Sequence, residues 1–158
     1  MVRWVIRLTK EGSPRWYRGK GAMEGRRIQS RKGAMAQWKG AMNAALENNM
    51  TENELAKIVV GLCLKIHKTL GPGLLESVYE EVLCYELTKL GLNFRRQQGI
   101  IVEYEGIKMD LGFRADIIIE DKIIVELKSV EAIAPVHHKI LLTYLRLSNL
   151  KLGLLINF

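Results

Sequence analysis

Apolar positions after residue 50 first follow a helical spacing. They recur every three to four residues from Leu55 to Ile66, directly after Thr51 and Glu54, which have the spacing of a capping box. We therefore expect a helix that begins at residue 51 and ends at the Gly-Pro-Gly sequence of residues 71–73. A second helical pattern covers about residues 74–90, and Gly91 is its expected C-cap.

The period then changes to two, which is typical of strands. The pattern predicts strands at residues 100–104, at 107–119 with a bend near Gly112, and at 122–128. Pro135 suits the first turn of a further helix that runs to about residue 148, and residues 151–158 form a last apolar strand. The order α-α-β-β-β-α-β indicates an α/β domain (of mixed α+β type) in which helices flank a four-stranded mixed sheet.

Residues 1–49 have a different composition and show no sustained period before about Ala34. All three tryptophans lie here, among several arginines. One interpretation is a basic, aromatic-rich arm that binds nucleic acid. The interpretation we favour is a disordered or atypical extension, because Met50 directly precedes the capping box. The predicted organisation is therefore an N-terminal extension, 1–49, and one folded domain, 50–158.

The net charge of +7 is unevenly distributed. Residues 1–50 contain 11 Lys and Arg against 3 Glu, whereas residues 51–158 contain 13 Lys and Arg against 14 Asp and Glu. The basic character belongs to the N-terminal third, so the charge of the whole chain says little about what the folded domain binds.

Other compositional features point to an ordinary intracellular protein. No apolar run reaches the roughly 18 residues that a membrane span needs, and the N-terminus lacks the features of a signal peptide. Cys63 and Cys84 lie in apolar helical stretches and have no zinc-ligand spacing, so we expect buried free thiols. A cytoplasmic protein without a membrane partner is the prediction.

Three charged residues interrupt apolar strands. Asp116 lies within the run 113–119, and Glu126 and Lys128 lie within 123–130. A turn near residues 120–122 would bring Asp116 and Glu126 within about 4.5–8 Å of each other. Two carboxylates and an ammonium suit a Mg²⁺ or Mn²⁺ site at which water attacks a phosphate. The alternative is a cross-strand ion pair on a solvated face.

The segment from Gly73 to Tyr79, Gly-Leu-Leu-Glu-Ser-Val-Tyr, resembles the motif that names the GxxExxY proteins. This prokaryotic family is placed in the PD-(D/E)XK nuclease superfamily. The resemblance continues through GFRADIIIEDKIIVELKSVE, APVHHKILLTYLRL and KLGLLINF. It spans residues 51–158 and does not include residues 1–49.

The resemblance implies a restriction-endonuclease-like αβββαβ core and a catalytic set of four residues. That set comprises Asp116, Glu126, Lys128 and Glu76, with Asp116, Glu126 and Glu76 as the metal ligands.

Tyr79 and Tyr144 would support this site. Two positions depart from the family pattern: Ala115 replaces a proline, and Ile140 replaces a glutamine that would help to position the site or the nucleic acid.

The leading hypothesis is a Mg²⁺- or Mn²⁺-dependent nuclease that acts on nucleic acid, with DNA the expected partner ahead of RNA and a homodimer as a possible assembly. The alternative is a catalytically inactive module that retains the nuclease fold and binds nucleic acid or protein. Ile140 and the near-neutral charge of residues 51–158 favour that alternative.

Overall fold

The computed structural model describes residues 4–10, 15–17, 50–110 and 112–158. These residues form three helices and eight strands. The helices are α1 (Glu52–Leu70), α2 (Glu76–Lys89) and α3 (Pro135–Ser148). The strands are β1 (Trp4–Thr9), β2 (Arg15–Tyr17), β3 (Phe94–Gly99), β4 (Val102–Tyr104), β5 (Ile107–Met109), β6 (Arg114–Ile119), β7 (Ile123–Lys128) and β8 (Leu152–Asn157).

Six of these strands form one mixed sheet in the order β2-β1-β8-β7-β6-β3. Strands β3, β6 and β7 are a meander of antiparallel neighbours, and α3 connects β7 to its parallel neighbour β8. With the preceding helices, this is the αβββαβ order predicted from the sequence. The prediction of a mixed sheet flanked by helices is confirmed.

The two faces of the sheet carry separate apolar clusters. One lies beneath α1 and α2 and includes Val125 and Leu127 of β7. The other lies beneath α3 and includes Ile118 and Ile124. Helix α1 begins at the predicted capping box, in which the Glu54 side chain accepts a hydrogen bond from the Thr51 backbone nitrogen at 2.9 Å.

Gly153 allows α3 to lie close to the sheet. A Cβ atom at this position would be 2.8 Å from Cδ1 of Leu141, a buried residue of α3. A side chain at position 153 would therefore displace the Leu141 side chain from its place against β8.

The predicted strands 100–104 and 107–119 were wrong in part. Residues 102–104 and 107–109 form a separate two-stranded hairpin, β4–β5. The strand that completes the meander with β6 and β7 is β3, which the sequence did not predict. Strand β3 lies at the sheet edge, where Arg95, Arg96 and Gln97 are exposed, so it has no apolar alternation to recognise. The predicted bend is at Gly112, whose φ is +77°, and it lies between β5 and β6.

Strand β1 differs from the disordered or atypical extension predicted for residues 1–49. It pairs antiparallel with β8 over its whole length, from Trp4 opposite Asn157 to Thr9 opposite Leu152. Ile6 and Leu8 are buried in the cluster beneath α3. Strand β1 therefore covers an edge of β8 that would otherwise be open. The prediction for residues 1–3, 11–14 and 18–49 lies outside the described residues.

Within the described part of the chain, no helix is both long enough and apolar enough to cross a membrane.

The burial of Ile6 leads to a stability prediction. We expect Ile6→Ala to lower the free energy of unfolding by about 2–4 kcal/mol, because a fully buried side chain is truncated. The matched control is Ile107→Ala at a position that is 63% exposed, and we expect it to change stability by less than about 0.5 kcal/mol. Urea denaturation measures both. Equal, negligible effects would show that β1 does not belong to the folded domain.

Candidate active site

The candidate site lies where β6 and β7 stop pairing with each other. The last backbone pair on this side of their ladder is Ile117 with Val125. One residue further, Oδ2 of Asp116 accepts a hydrogen bond from the Leu127 backbone nitrogen at 2.8 Å. A side-chain carboxylate thus takes the place of a backbone acceptor, so the opening between the two strands holds Asp116 in a fixed orientation.

Glu126 and Lys128 lie on one face of β7, while Val125 and Leu127 belong to the cluster on the other face. The Lys128 ammonium donates to Oε1 of Glu126 at 2.9 Å and to the Leu127 carbonyl oxygen at 2.7 Å. The sequence predicted that these residues share a face, and they contact each other directly.

Glu126 has a buried oxygen with an unused hydrogen-bonding capacity. The residue is only 6% exposed, and its Oε2 atom has no hydrogen-bond partner among the described residues. A buried carboxylate oxygen without a donor is costly, and a metal ion is one way to offset that cost. With Asp116 opposite, the donor set is hard oxygen, which is what Mg²⁺ and Mn²⁺ prefer. The residues present therefore fit a divalent cation.

Burial and mutual repulsion change the pKa values of the carboxyl groups. Burial first, and the Asp116 charge second, raise the pKa of Glu126 to about 7. Burial also raises the pKa of Asp116, although the hydrogen bond from Leu127 lowers it. The carboxyl groups therefore hold protons more readily than exposed ones, as expected for acidic groups crowded together without a cation.

Burial acts on the pKa of Lys128 in the opposite direction from its effect on the carboxyl groups. Burial lowers its pKa, but the charges of Glu126, Asp116 and Glu76 together outweigh burial and raise it. Its side chain is therefore a protonated ammonium at neutral pH, placed between acidic groups.

Glu76 lies in the first turn of α2, as predicted, and faces the end of β7. Its Oε1 atom accepts a hydrogen bond from the Ser129 backbone nitrogen at 3.0 Å. Its charge also contributes to the raised pKa values of Asp116 and Lys128. Within the described ranges, no three His, Cys, Asp or Glu side chains converge closely enough to hold a metal ion by themselves. Glu76 therefore lies at the site, where its Oε1 atom is hydrogen-bonded to the backbone of Ser129.

Tyr79 supports the turn from which α2 starts. The residue is fully buried, and its hydroxyl donates to the Gly71 carbonyl oxygen at 2.6 Å and accepts from the Leu74 backbone nitrogen at 3.2 Å. Its ring stacks on Phe158 at a centroid distance of 4.1 Å. Tyr79 therefore fixes the segment that precedes Glu76.

Tyr144 reaches the same region from α3. It is buried, and burial followed by the Glu126 charge raises the pKa of its hydroxyl, while hydrogen bonding to the Arg114 backbone lowers that pKa by less. Ile140, one turn earlier, is partly buried in the apolar cluster beneath α3. The residue that replaces the family glutamine therefore packs against the core.

Two polar residues of this region were not predicted as site residues. Glu80 is buried and accepts hydrogen bonds from Nε of Arg96 at 2.8 Å and from Nε2 of Gln97 at 2.7 Å. Gln97 also approaches Oδ1 of Asp116 at 3.5 Å and has a φ of +47°, which is unusual for a residue with a side chain. Glu80 is four residues from Glu76, so helical spacing offered a signal; nothing in the sequence marked Gln97.

The model of the PD-(D/E)XK nuclease superfamily matches residues 53–158, which is more than half of the chain. The chain therefore belongs to the PD-(D/E)XK nuclease superfamily, and its sheet and helices are those of the restriction-endonuclease-like fold. Members of this superfamily generally use divalent metal ions. No curated protein and no solved structure matches the chain. The narrower resemblance to GxxExxY proteins stays a prediction.

The raised pKa of Glu126 predicts how stability depends on pH in the metal-free protein. The folded pKa of about 7 exceeds the ordinary value of 4.5, so the folded state binds this proton more tightly than the unfolded state does. Stability should therefore fall as the pH rises from about 4.5 to 7, and Glu126→Gln should lack this contribution. In EDTA, we expect the free energy of unfolding of wild type relative to Glu126→Gln to fall by on the order of 2 kcal/mol between pH 5 and pH 8. Parallel curves would contradict the raised pKa.

Proposed function

We propose that residues 50–158 form a nuclease that requires Mg²⁺ or Mn²⁺ and hydrolyses phosphodiester bonds of nucleic acid. The observation that carries this proposal is the buried, unpartnered Oε2 atom of Glu126. The other oxygen of this carboxylate, Oε1, accepts from the Lys128 ammonium, and Glu126 lies on the strand next to Asp116. Membership of the nuclease superfamily supports the same chemistry.

Asp116 and Glu126 would hold the ion. When bound, a divalent ion neutralises charge on the phosphate and lowers the pKa of a water molecule. The Leu127 amide fixes Oδ2 of Asp116, which leaves Oδ1 directed away from that bond. Burial keeps Glu126 in a region of low dielectric, where its interaction with a cation is stronger than in water.

Lys128 would act on the reacting phosphate. Its ammonium is fixed by Glu126 and by the Leu127 carbonyl oxygen, and the charges around it keep it protonated. A fixed ammonium stabilises negative charge that develops on a phosphate oxygen and orients the attacking water. The ammonium needs no rearrangement for this role, because its two acceptors already hold it in place.

The cation also offers an answer to how a near-neutral domain binds a polyanion. The charges of Asp116, Glu126 and Glu76 act on one ammonium, that of Lys128, so these groups repel phosphate until a cation binds, whereas Glu80 is paired with Arg96. We infer that binding of nucleic acid is linked to binding of metal.

DNA is the substrate that we propose ahead of RNA, and a homodimer would allow both strands of a duplex to be cut.

A second function, an inactive binding module, is favoured by one observation. Ile140 packs into the apolar cluster beneath α3 and offers no polar group to a nucleic acid. Titration calorimetry with Mn²⁺ separates the two functions. Heat of binding that disappears in Glu126→Gln supports the nuclease, and the absence of binding to the wild-type protein supports the inactive module.

Cleavage of labelled DNA and RNA by the full chain tests the nuclease directly. We expect Mg²⁺ or Mn²⁺ to be required, EDTA to stop the reaction, and Asp116→Asn and Lys128→Met each to lower kcat at least about 100-fold. Asparagine retains an oxygen that accepts from the Leu127 amide, so the first variant removes charge and preserves the fold. Glu103→Ala, at an exposed position of β4, is the control. Metal-dependent cleavage that persists in Asp116→Asn would contradict the proposal.

A further inference from the structure

The residues that directly follow Lys128 are held by side chains from two other elements. Asn157, the last residue of β8, is fully buried. Its Oδ1 atom accepts from the Val130 backbone nitrogen at 3.0 Å, and its Nδ2 atom donates to the Val130 carbonyl oxygen at 2.8 Å. One side chain thus satisfies both backbone groups of Val130.

Ser129 is held from the opposite direction by the start of α2. Its backbone nitrogen donates to Oε1 of Glu76 at 3.0 Å, and its hydroxyl donates to the Leu74 carbonyl oxygen at 2.6 Å. Ser129 is therefore bonded to the segment that begins α2, and Val130 is bonded to the end of β8.

These bonds act at the position of Lys128. Strands β7 and β8 pair in parallel up to Lys128 and Asn157, and the Phe158 backbone nitrogen donates to the Lys128 carbonyl oxygen at 2.9 Å. The Asn157 side chain adds a contact to Val130, two residues beyond the end of the regular ladder. Lys128 consequently belongs to a fixed strand end, although it is the last residue of β7.

We propose that Glu76 and Asn157 are positioning residues that fix the backbone of residues 129–130 and, through it, Lys128. Glu76 performs this role as an acceptor for the Ser129 amide and not as a metal ligand. The inference rests on the proposed function, since it concerns how the lysine of that site is held. A displacement of about 1 Å at a catalytic group is enough to cost a large factor in rate.

The chemistry of the two side chains supports a specific role. Asn157 is a buried amide in a strand whose other residues are apolar, and such a group is costly unless its hydrogen bonds are made. Asn157 satisfies both backbone groups of Val130, so an apolar residue at 157 would leave a partly buried donor and acceptor without these partners. Glu76 directs its Oε1 atom to a backbone N–H, a bond that needs an acceptor oxygen and no negative charge.

Substitutions at Glu76 distinguish positioning from metal binding. Glu76→Gln retains an oxygen that accepts from Ser129 but is a poor metal ligand, whereas Glu76→Ala has neither property. We expect the Kd for Mn²⁺, from calorimetry, to change less than about threefold in both variants. We expect kcat to fall at least about tenfold in Glu76→Ala and to be restored to within about threefold of wild type in Glu76→Gln. Equal losses of Mn²⁺ affinity and kcat in the two variants would overturn the proposal and make Glu76 a ligand.

Amide hydrogen exchange tests the positioning without any activity. In the metal-free protein, the Ser129 and Val130 amides should exchange at least about tenfold faster in Glu76→Ala than in wild type, and Glu76→Gln should restore protection. The matched control is Glu52→Ala, which removes a first-turn glutamate from α1. Unchanged protection in Glu76→Ala would overturn the positioning role, whereas an inactive wild-type protein with the expected exchange pattern would refute only the nuclease.

The effects of substitutions at Glu76 and Asn157 on kcat should be coupled. We expect Asn157→Leu to lower kcat without weakening Mn²⁺ binding, and the double variant with Glu76→Ala to lose less than the product of the two single effects, because each change releases the same backbone. Purely multiplicative losses in kcat would show that the two residues do not act on a common segment. If Asn157→Leu does not fold, the Glu76 series and its exchange measurements still decide the proposal.

Discussion

The hydrogen bond from the Leu127 amide to Asp116 is the interaction on which the site depends. It lies where β6 and β7 stop pairing, and it replaces a backbone contact by a carboxylate. One amide therefore fixes Asp116 and ends the ladder between the two strands. Because Leu127 lies between Glu126 and Lys128, the same residue connects the orientations of all three charged groups.

The cost of this arrangement is visible in its electrostatics. Glu126 is buried with one oxygen unpartnered and has its pKa raised to about 7, while Lys128 is held as an ammonium between carboxylates. A set of groups with this charge is less stable without a cation than apolar residues would be. Stability, metal binding and nucleic-acid binding are therefore linked in our proposal through one property, the excess of carboxylate over cation in a partly buried site.

The sequence predicted the parts of the fold whose residues carry a strong local pattern. The capping box located α1, and the alternation in β6 and β7 placed Asp116, Glu126 and Lys128 together on neighbouring strands. Asn157 also left a signal, as a polar residue at the end of an apolar strand, but its role is a contact with Val130 that local patterns do not specify.

Other parts depend on tertiary contacts that no period reveals. Strand β3 is an exposed edge strand of polar residues, and the part of β1 whose burial is described contributes Ile6 and Leu8 to the core, so neither strand shows a long run of buried positions. Gln97 is brought to Asp116 by the pairing of β3 with β6 and by a positive φ, both of which arise from the folded sheet.

Glu126 and Asp116 form the proposed cation site, and the anomalous scattering of crystals soaked in Mn²⁺ would locate the ion. We expect a manganese peak within about 2.0–2.4 Å of Oε2 of Glu126 and of an Asp116 oxygen, with Glu76 still bonded to the Ser129 amide. A peak bound by Glu76, or no peak near Glu126 at saturating Mn²⁺, would contradict this expectation.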